Sequence, residues 1–392
     1  MSTSLRPADF ARAAAFALLP AVAGAGAMGL PVLIGLAGII AIAPSILRQV
    51  LEKQRTWLWL LLALTGWAAL SSLWSAWDGP TAAKVLLVVG TGLLFAATAG
   101  ANEKSATLTL AGATAAFLVL AALLGVEAGF DMPLNRAAEP DLPYGELNRN
   151  PSRGLVVLLA LVWPVTAWVL ATTRGAMRLA VLGIVAVGAV LSLQFDQQST
   201  AIGFGVGLVV FVIASANPRA MIVLLSFGLA AWMLAAPFAT PILFASQQLV
   251  DALPFSWAHR VGIWRYTCER IMEQPWIGHG IDAGRATTEM ITTRGYETRG
   301  IPVHPHSASL QVWHDLGFNG ALVAAVLLAY GGWRLSRAFA LDKLGGAATA
   351  AVLAMFGLMA NIGWSIWQEW WISTLLLTAG LIAAVRLRAA KA

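Results

Sequence analysis

The sequence predicts an all-α polytopic membrane protein, with about twelve transmembrane helices and one long outer loop that carries an amphipathic helix. Three observations carry this expectation. Hydrophobic residues make up 59% of the 392-residue chain and charged residues 11%, against roughly 25% charged in a soluble domain, so a soluble globular chain is excluded. Apolar runs near the ~20 residues that a spanning helix needs recur at 11–29, 30–47, 57–74, 82–100, 106–126, 153–172, 177–194, 200–216, 219–238, 307–332, 346–364 and 370–387. Basic residues then divide unevenly between the two sides those runs define.

That division fixes an orientation. With a cytoplasmic N-terminus, the inner segments carry Arg6, Arg12, Arg48, Lys53, Arg55, Lys104, Arg174, Arg178, Arg219, Arg334, Arg337, Lys343, Arg386, Arg388 and Lys391, whereas the short outer loops and helix ends carry only Lys84, Arg136, Arg149 and Arg153. Both termini are therefore expected inside. The first run follows Arg6 and Arg12 and ends in Ala23-Gly24-Ala25, as a cleaved signal would, but no polar mature domain follows it, so it is taken as a span. Two outer stretches exceed a turn, 127–152 and 239–306. The chain accordingly divides into an N-terminal bundle of about nine helices (1–238), an outer loop (239–306) and a C-terminal bundle of about three (307–392). Trp74, Trp77, Trp364, Trp367, Trp370 and Trp371 fall at outer helix ends, where they either form an aromatic belt at the headgroup level, the preferred reading, or stack on sugars.

Six arginines of the long outer loop, Arg260, Arg265, Arg270, Arg285, Arg294 and Arg299, escape the topology rule because the loop is too long for it to govern. All five histidines lie in or beside that loop: His259, His279, His304, His306 and His314. From 257 to 272 the apolar residues Trp257, Val261, Trp264, Cys268, Ile271 and Met272 fall on one stripe of a 3.6-residue helix. Pro275 ends it, and Gly278 and Gly280 suit a turn. Such a helix lies apolar side down, on the bilayer or on the tops of the spanning helices. Arg260 and Arg265 at its margins either snorkel to headgroups or hold phosphate oxygens, which guanidinium forks bind bidentately.

The loop ends in Pro302-Val303-His304-Pro305-His306-Ser307. Pro305 and a Ser307 N-cap place His306 at the outer mouth of the tenth span, where an imidazole titrating near neutrality can take a proton from a hydroxyl. Gln311, His314 and Asp315 follow within two turns. An ionisable pair at that depth is costly and either serves the chemistry or ties helices together. The single Cys268 excludes an intrachain disulfide and a cysteine-based zinc cluster. No Gly-x4-Gly-Lys-Ser/Thr loop, His-Glu-x-x-His, Asp-x-Asp or Gly-x-Ser-x-Gly motif is present, which removes the usual supports for ATP hydrolysis, zinc proteolysis, metal-bound nucleotide-sugar transfer and serine hydrolysis. No metal or cofactor is expected, nor a nucleic-acid partner. A transporter or flippase for a lipid-linked or anionic solute is the alternative class, but transporters place ionisable residues at the midplane with repeat symmetry; here charge gathers outside the spans.

The stretch His259-Arg260-Val261-Gly262-Ile263-Trp264 through Gln274-Pro275-Trp276-Ile277-Gly278-His279-Gly280 resembles an Arg-x3-Trp, then Pro-x2-Gly-x-Gly pattern. His306-Ser307-Ala308-Ser309-Leu310-Gln311, followed by Asp315-x-Gly317 and Gly320, is similar to a His-Asn-x2-Leu-Gln, acid-x-Gly ending. Both patterns are those of the membrane family of O-antigen ligases and O-antigen or exopolysaccharide polymerases. The resemblance implies a metal-independent, inverting glycosyltransferase of the bacterial inner membrane with a periplasmic active site. It would take a glycan from a polyprenyl (undecaprenyl) diphosphate carrier and join it to a hydroxyl of lipid A core, as a ligase, or of a second lipid-linked glycan, as a polymerase. By the same resemblance Arg260 neutralises the diphosphate and His306 acts as base on the acceptor hydroxyl or orients it. Arg265 and Arg153 are further candidates for phosphate binding, and Trp264, Gln311, His314 and Asp315 for support. Two departures are visible. Gln198-Ser199-Thr200-Ala201 stands where the family often has an arginine after serine, for which Arg149 or Arg153 could substitute, and Ser307 stands where the family has Asn.

Overall fold

The computed structural model describes residues 7–195 and 197–389. Arg6, Lys391 and the Arg388 side chain, assigned above to the inner side, lie outside what is described. In chain order the helices are α1 (Pro7–Gly24), α2 (Leu30–Ala41), α3 (Pro44–Lys53), α4 (Arg55–Ser71), α5 (Thr81–Ala99), α6 (Glu103–Gly129), α7 (Pro133–Ala138), α8 (Tyr144–Leu147), α9 (Arg149–Thr172), α10 (Ala180–Ser192), α11 (Gln198–Ala214), α12 (Pro218–Leu243), α13 (Gln247–Ala252), α14 (Phe255–Glu273), α15 (Ala308–Ala338), α16 (Lys343–Ile362) and α17 (Glu369–Ala389). One antiparallel hairpin, β1 (Met290–Thr293) and β2 (Tyr296–Arg299), follows α14.

All twelve apolar runs are helical over most of their length, but they are unequal. Among the described residues, eight helices are long and apolar enough to cross a membrane, or nine if α2 and α3, bent by 103°, count as one. The difference from twelve has local causes. Pro44 stops α2 after 12 residues, since the residue before a proline is pushed out of the helical region. Both α4 and α11 stop at 17 residues, and α1 carries Asp9 and Arg12 in its first turns.

The core is organised around α9, buried from Leu155 through Ala167. Around it pack α1, α6, α10, α16 and α17. The three C-terminal helices do not stand apart as a bundle: α15 lies against α12 and α4, α16 against α11 and α9, and α17 against α5, α6 and α9. This interleaving brings the first turns of α11, α15 and α17 and the last turns of α4, α12 and α16 to the end of the molecule where 244–307 lies.

Helix α15 is broken at Gly317 (φ 64°, ψ −167°), a conformation open almost only to glycine. A Cβ there would stand 2.4 Å from the backbone of Trp276. The break lets the 275–282 strand of the loop enter the helix's backbone ladder. Phe318 N–H donates to Pro275 O (2.7 Å), His279 N–H to His314 O (2.8 Å) and Gly280 N–H to Asp315 O (2.9 Å). Gly317→Ala is therefore expected to lower the unfolding free energy by roughly 1–3 kcal/mol from the backbone conformation alone, with the overlap in addition. Thermal unfolding of the detergent-purified protein measures this, and an unchanged melting temperature would contradict it.

Candidate functional site

Helix α14 covers the stretch expected from the apolar spacing and rests on the helix tops. Val261, Trp264, Cys268 and Ile271 are buried in a cluster with Met233 of α12 and Leu310, Val312 and Trp313 of α15. The stripe departs from expectation at two positions: Met272 is 47% exposed, and Ile263 is buried instead.

The next element is the turn before α15. Ser307 caps that helix as expected, its Oγ accepting from Leu310 N–H at 3.4 Å. Trp264 Nε1–H donates to Pro305 O at 2.8 Å and so ties the turn to α14. His306 sits in the left-handed region, φ 54°. Its Nδ1 lies 2.8 Å from the carbonyl oxygen of Gly363, between α16 and α17. A carbonyl oxygen only accepts, so in the neutral ring Nδ1 carries the hydrogen and Nε2 keeps its lone pair. No hydrogen bond reaches Nε2 among the described residues. Burial, then the charge of Arg260, pushes the His306 pKa down to about 4, so at neutral pH the ring is a free base.

Arg260 leaves the margin of α14 beside this turn. Its guanidinium lies 5.3 Å from the Trp257 ring centroid, its Nε is buried with no hydrogen-bond partner, and no carboxylate pairs with it among the described residues. A half-buried cation without a counter-ion favours an anionic ligand, because an anion would relieve the cost of desolvating the charge. Trp257 in turn donates from Nε1 to Gln198 Oε1 at the start of α11. Thr200, which follows serine where the family often has arginine, is buried, its Oγ1 donating to Gln197 O at 2.6 Å.

Around these two groups the remaining candidates act as ties. Gln311 clamps the α16–α17 connection, its Nε2 donating to Ser365 Oγ (3.0 Å) and its Oε1 accepting from Ile366 N–H (3.1 Å). That connection carries the Gly363 carbonyl, so Gln311 bears on His306 indirectly. Asn361 Oδ1 accepts from Ser309 N–H at 3.3 Å across the same junction. Asp315 is a buried hub: Oδ2 accepts from Trp367 Nε1 (2.6 Å) and Asp282 N–H (3.1 Å), and Oδ1 meets His314 Nδ1 at 2.7 Å. The His314 ring stacks on His279 with centroids 4.8 Å apart. The geometry thus places the His314–Asp315 pair where it fastens loop to helix, away from the His306 turn.

The structure separates the other two arginines. Arg265 donates to the Phe244 carbonyl and to Gln247 Oε1, tying α14 to the end of α12. Arg153, in the first turn of α9, lies 5.9 Å from the Trp370 centroid with its Nε buried and unpartnered. Trp370 packs on Trp364 at 5.0 Å, next to Gly363. Arg149 is paired with Glu146. The tryptophans do not form a belt: Trp367, Trp370 and Trp371 are buried, and Trp74 Nε1 donates to Gly278 O at 3.1 Å. In place of a belt, the indole N–H groups of Trp74, Trp367 and Trp370 donate to Gly278 O, Asp315 Oδ2 and Gln368 Oε1 inside the protein.

Sequence reasoning missed Gly363, Asp282 and Ser365. The first acts through a backbone carbonyl and the other two through distant partners, so no local pattern marks them. It also passed over His304 as a second histidine of the turn, although its place two residues before His306 was visible.

Residues 155–325 match the family model described as O-Antigen ligase. Over that segment the chain is similar to the O-antigen ligase family. A protein of Rickettsia conorii (strain ATCC VR-613 / Malish 7) named "Putative polysaccharide ligase" is 28% identical over 229 residues, 57% of this chain and 54% of that protein. Proteins so named from Rickettsia felis and Rickettsia typhi are 26% identical over 229 residues (57% and 55% covered) and 25% over 186 residues (45% and 45%). The chain spans about half the length of the curated relatives it matches. The matched segment runs from within α9 to within α15 and holds Arg260, Trp264, His306, Gln311 and Asp315 together, while Arg153 lies two residues before it.

Proposed function

We propose that the protein is an inner-membrane glycosyltransferase of the O-antigen ligase type, moving a glycan from a polyprenyl diphosphate carrier to an acceptor hydroxyl on the periplasmic face. One observation carries this reading: a neutral imidazole with a free Nε2 stands beside an arginine that has no counter-ion among the described residues. His306 Nε2 takes the proton of the acceptor hydroxyl as its oxygen attacks the anomeric carbon. The bond from that carbon to the diphosphate oxygen breaks on the opposite face, and the electron pair leaves with the polyprenyl diphosphate. The anomeric centre is inverted. Arg260 offsets the negative charge that gathers on the leaving oxygen, where a preorganised cation acts most strongly. The diphosphate supplies the driving force, so neither nucleotide nor metal enters a step. Arg153 is a second phosphate candidate, its Nε being unpartnered. The Arg265 guanidinium is engaged at Phe244 and Gln247, and its part is to hold α14.

The test is deletion of the gene in its host with analysis of surface glycans. Loss of a ligase leaves long polymer on the carrier lipid and none on lipid A core, which is the expected result. Single repeat units attached to the acceptor would instead mark a polymerase. In vitro, purified protein given lipid-linked glycan and core acceptor is expected to form the joined product; lipid movement across vesicles without transfer would favour a flippase and overturn the proposal.

A further inference from the structure

The His304-Pro305-His306 turn is held at three polar handles. Trp264 fixes the Pro305 carbonyl (2.8 Å), Gly363 fixes the His306 ring (2.8 Å), and the His306 backbone N–H donates to His304 Nδ1 (3.1 Å). The third bond is made within the turn itself. A side chain that accepts from the N–H two residues on forms the closure that Asn and Asp make in Asx turns; here an imidazole makes it. Pro305 supplies no N–H, so the turn can close on its side chain only through the His306 amide. The closure has a clear task, because His306 is a non-glycine residue at φ 54°, and residues persist there when their surroundings over-determine them. The His304 ring is buried, its centroid 4.3 Å from that of His306. Burial, His306, Arg285 and Arg260 together hold its pKa well below the ordinary histidine value, which keeps Nδ1 an acceptor; a protonated ring would present a donor to a donor.

We infer that His304 is a positioning residue for glycan transfer, its Nδ1 accepting the His306 amide hydrogen and so holding His306 in the left-handed conformation that presents Nε2 to the acceptor hydroxyl. The inference rests on the reading of His306 as the base. It makes no claim that His304 touches substrate.

The experiment compares two amides at one position. In His304→Asn the side-chain oxygen takes the place of Nδ1 and can close the turn; in His304→Gln it stands one bond further out and cannot. Both full-length variants and the wild type are purified, their melting temperatures taken, and kcat and donor KM measured with a lipid-linked glycan. The expected result is His304→Asn within about threefold of wild-type kcat and His304→Gln lower by roughly 10²-fold, the scale of a misplacement near 1 Å, with donor KM unchanged because Arg260 is untouched. Equal kcat values for the two variants, high or low, overturn the assignment of His304, as does a loss in His304→Gln that appears only in KM. A wild type that binds donor and transfers nothing overturns the reading of His306 instead, and so separates the two failures.

Discussion

Replacing His306 by alanine is expected to lower kcat for glycan transfer by roughly 10²–10⁴-fold, the range of a positioned general base, while donor KM changes little. The acceptor hydroxyl then has to lose its proton to water during attack. Alanine is strained at φ 54° as histidine is, so a companion His306→Asn variant separates loss of the base from loss of the turn, asparagine being tolerant of the left-handed region. Asparagine presents no basic nitrogen, and its rate should match that of the alanine variant. Either variant transferring glycan at the wild-type rate would remove His306 from the mechanism.

The same residue sets a pH dependence whose sign follows from its surroundings. Burial and Arg260 lower the His306 pKa to about 4 from the ordinary 6.5. The base is the neutral form, so kcat/KM should stay level from pH 7 down through the ordinary histidine range and fall only as pH approaches about 4. The stability linkage has the same direction. Between 6.5 and about 4 the unfolded chain takes up the proton that the folded ring refuses, so folding is weakened as pH falls through that window. His304 and His259, both lowered first by burial, add to the effect in the same sense.

The legible part of this protein is what periodicity and composition encode. Runs of apolar residues gave the helices, and the Val261-Trp264-Cys268-Ile271 spacing gave α14 and the face it buries. Histidine after proline and before serine gave the cap of α15 with His306 at its mouth. Span count was less legible, because 20 apolar residues do not show that Pro44 will split one run and bend it by 103°. The supports of the site were least legible. Asp315 gathers Trp367, Asp282 and His314, and His306 is aimed by a carbonyl 57 residues away at Gly363. These partners meet only because α15, α16 and α17 interleave with the earlier helices. Arg260 and Arg265 look alike in sequence, both at margins of one stripe. The fold tells them apart by what each meets, a backbone carbonyl for Arg265 and, among the described residues, no counter-ion for Arg260.

That difference sets the second large effect. Arg260→Ala is expected to lower kcat by roughly 10²–10³-fold, the cost of removing one preorganised group that stabilises developing charge. Arg260→Lys should recover only part of the loss, since an ammonium keeps the charge and gives up the planar fork that matches phosphate oxygens. Arg265→Ala, by contrast, should act on stability through the lost tie to Phe244 and Gln247, with kcat of the folded fraction near wild type. The three variants also differ in a readout that rate alone would not give. Arg260 contributes to the lowering of the His306 pKa; without its charge the acid limb of the pH profile should rise from about 4 toward the ordinary histidine value, in Arg260→Ala but not in Arg260→Lys or Arg265→Ala. A limb that stays in place in Arg260→Ala would mean that burial alone sets the His306 pKa, and that Arg260 and His306 do not share one electrostatic site.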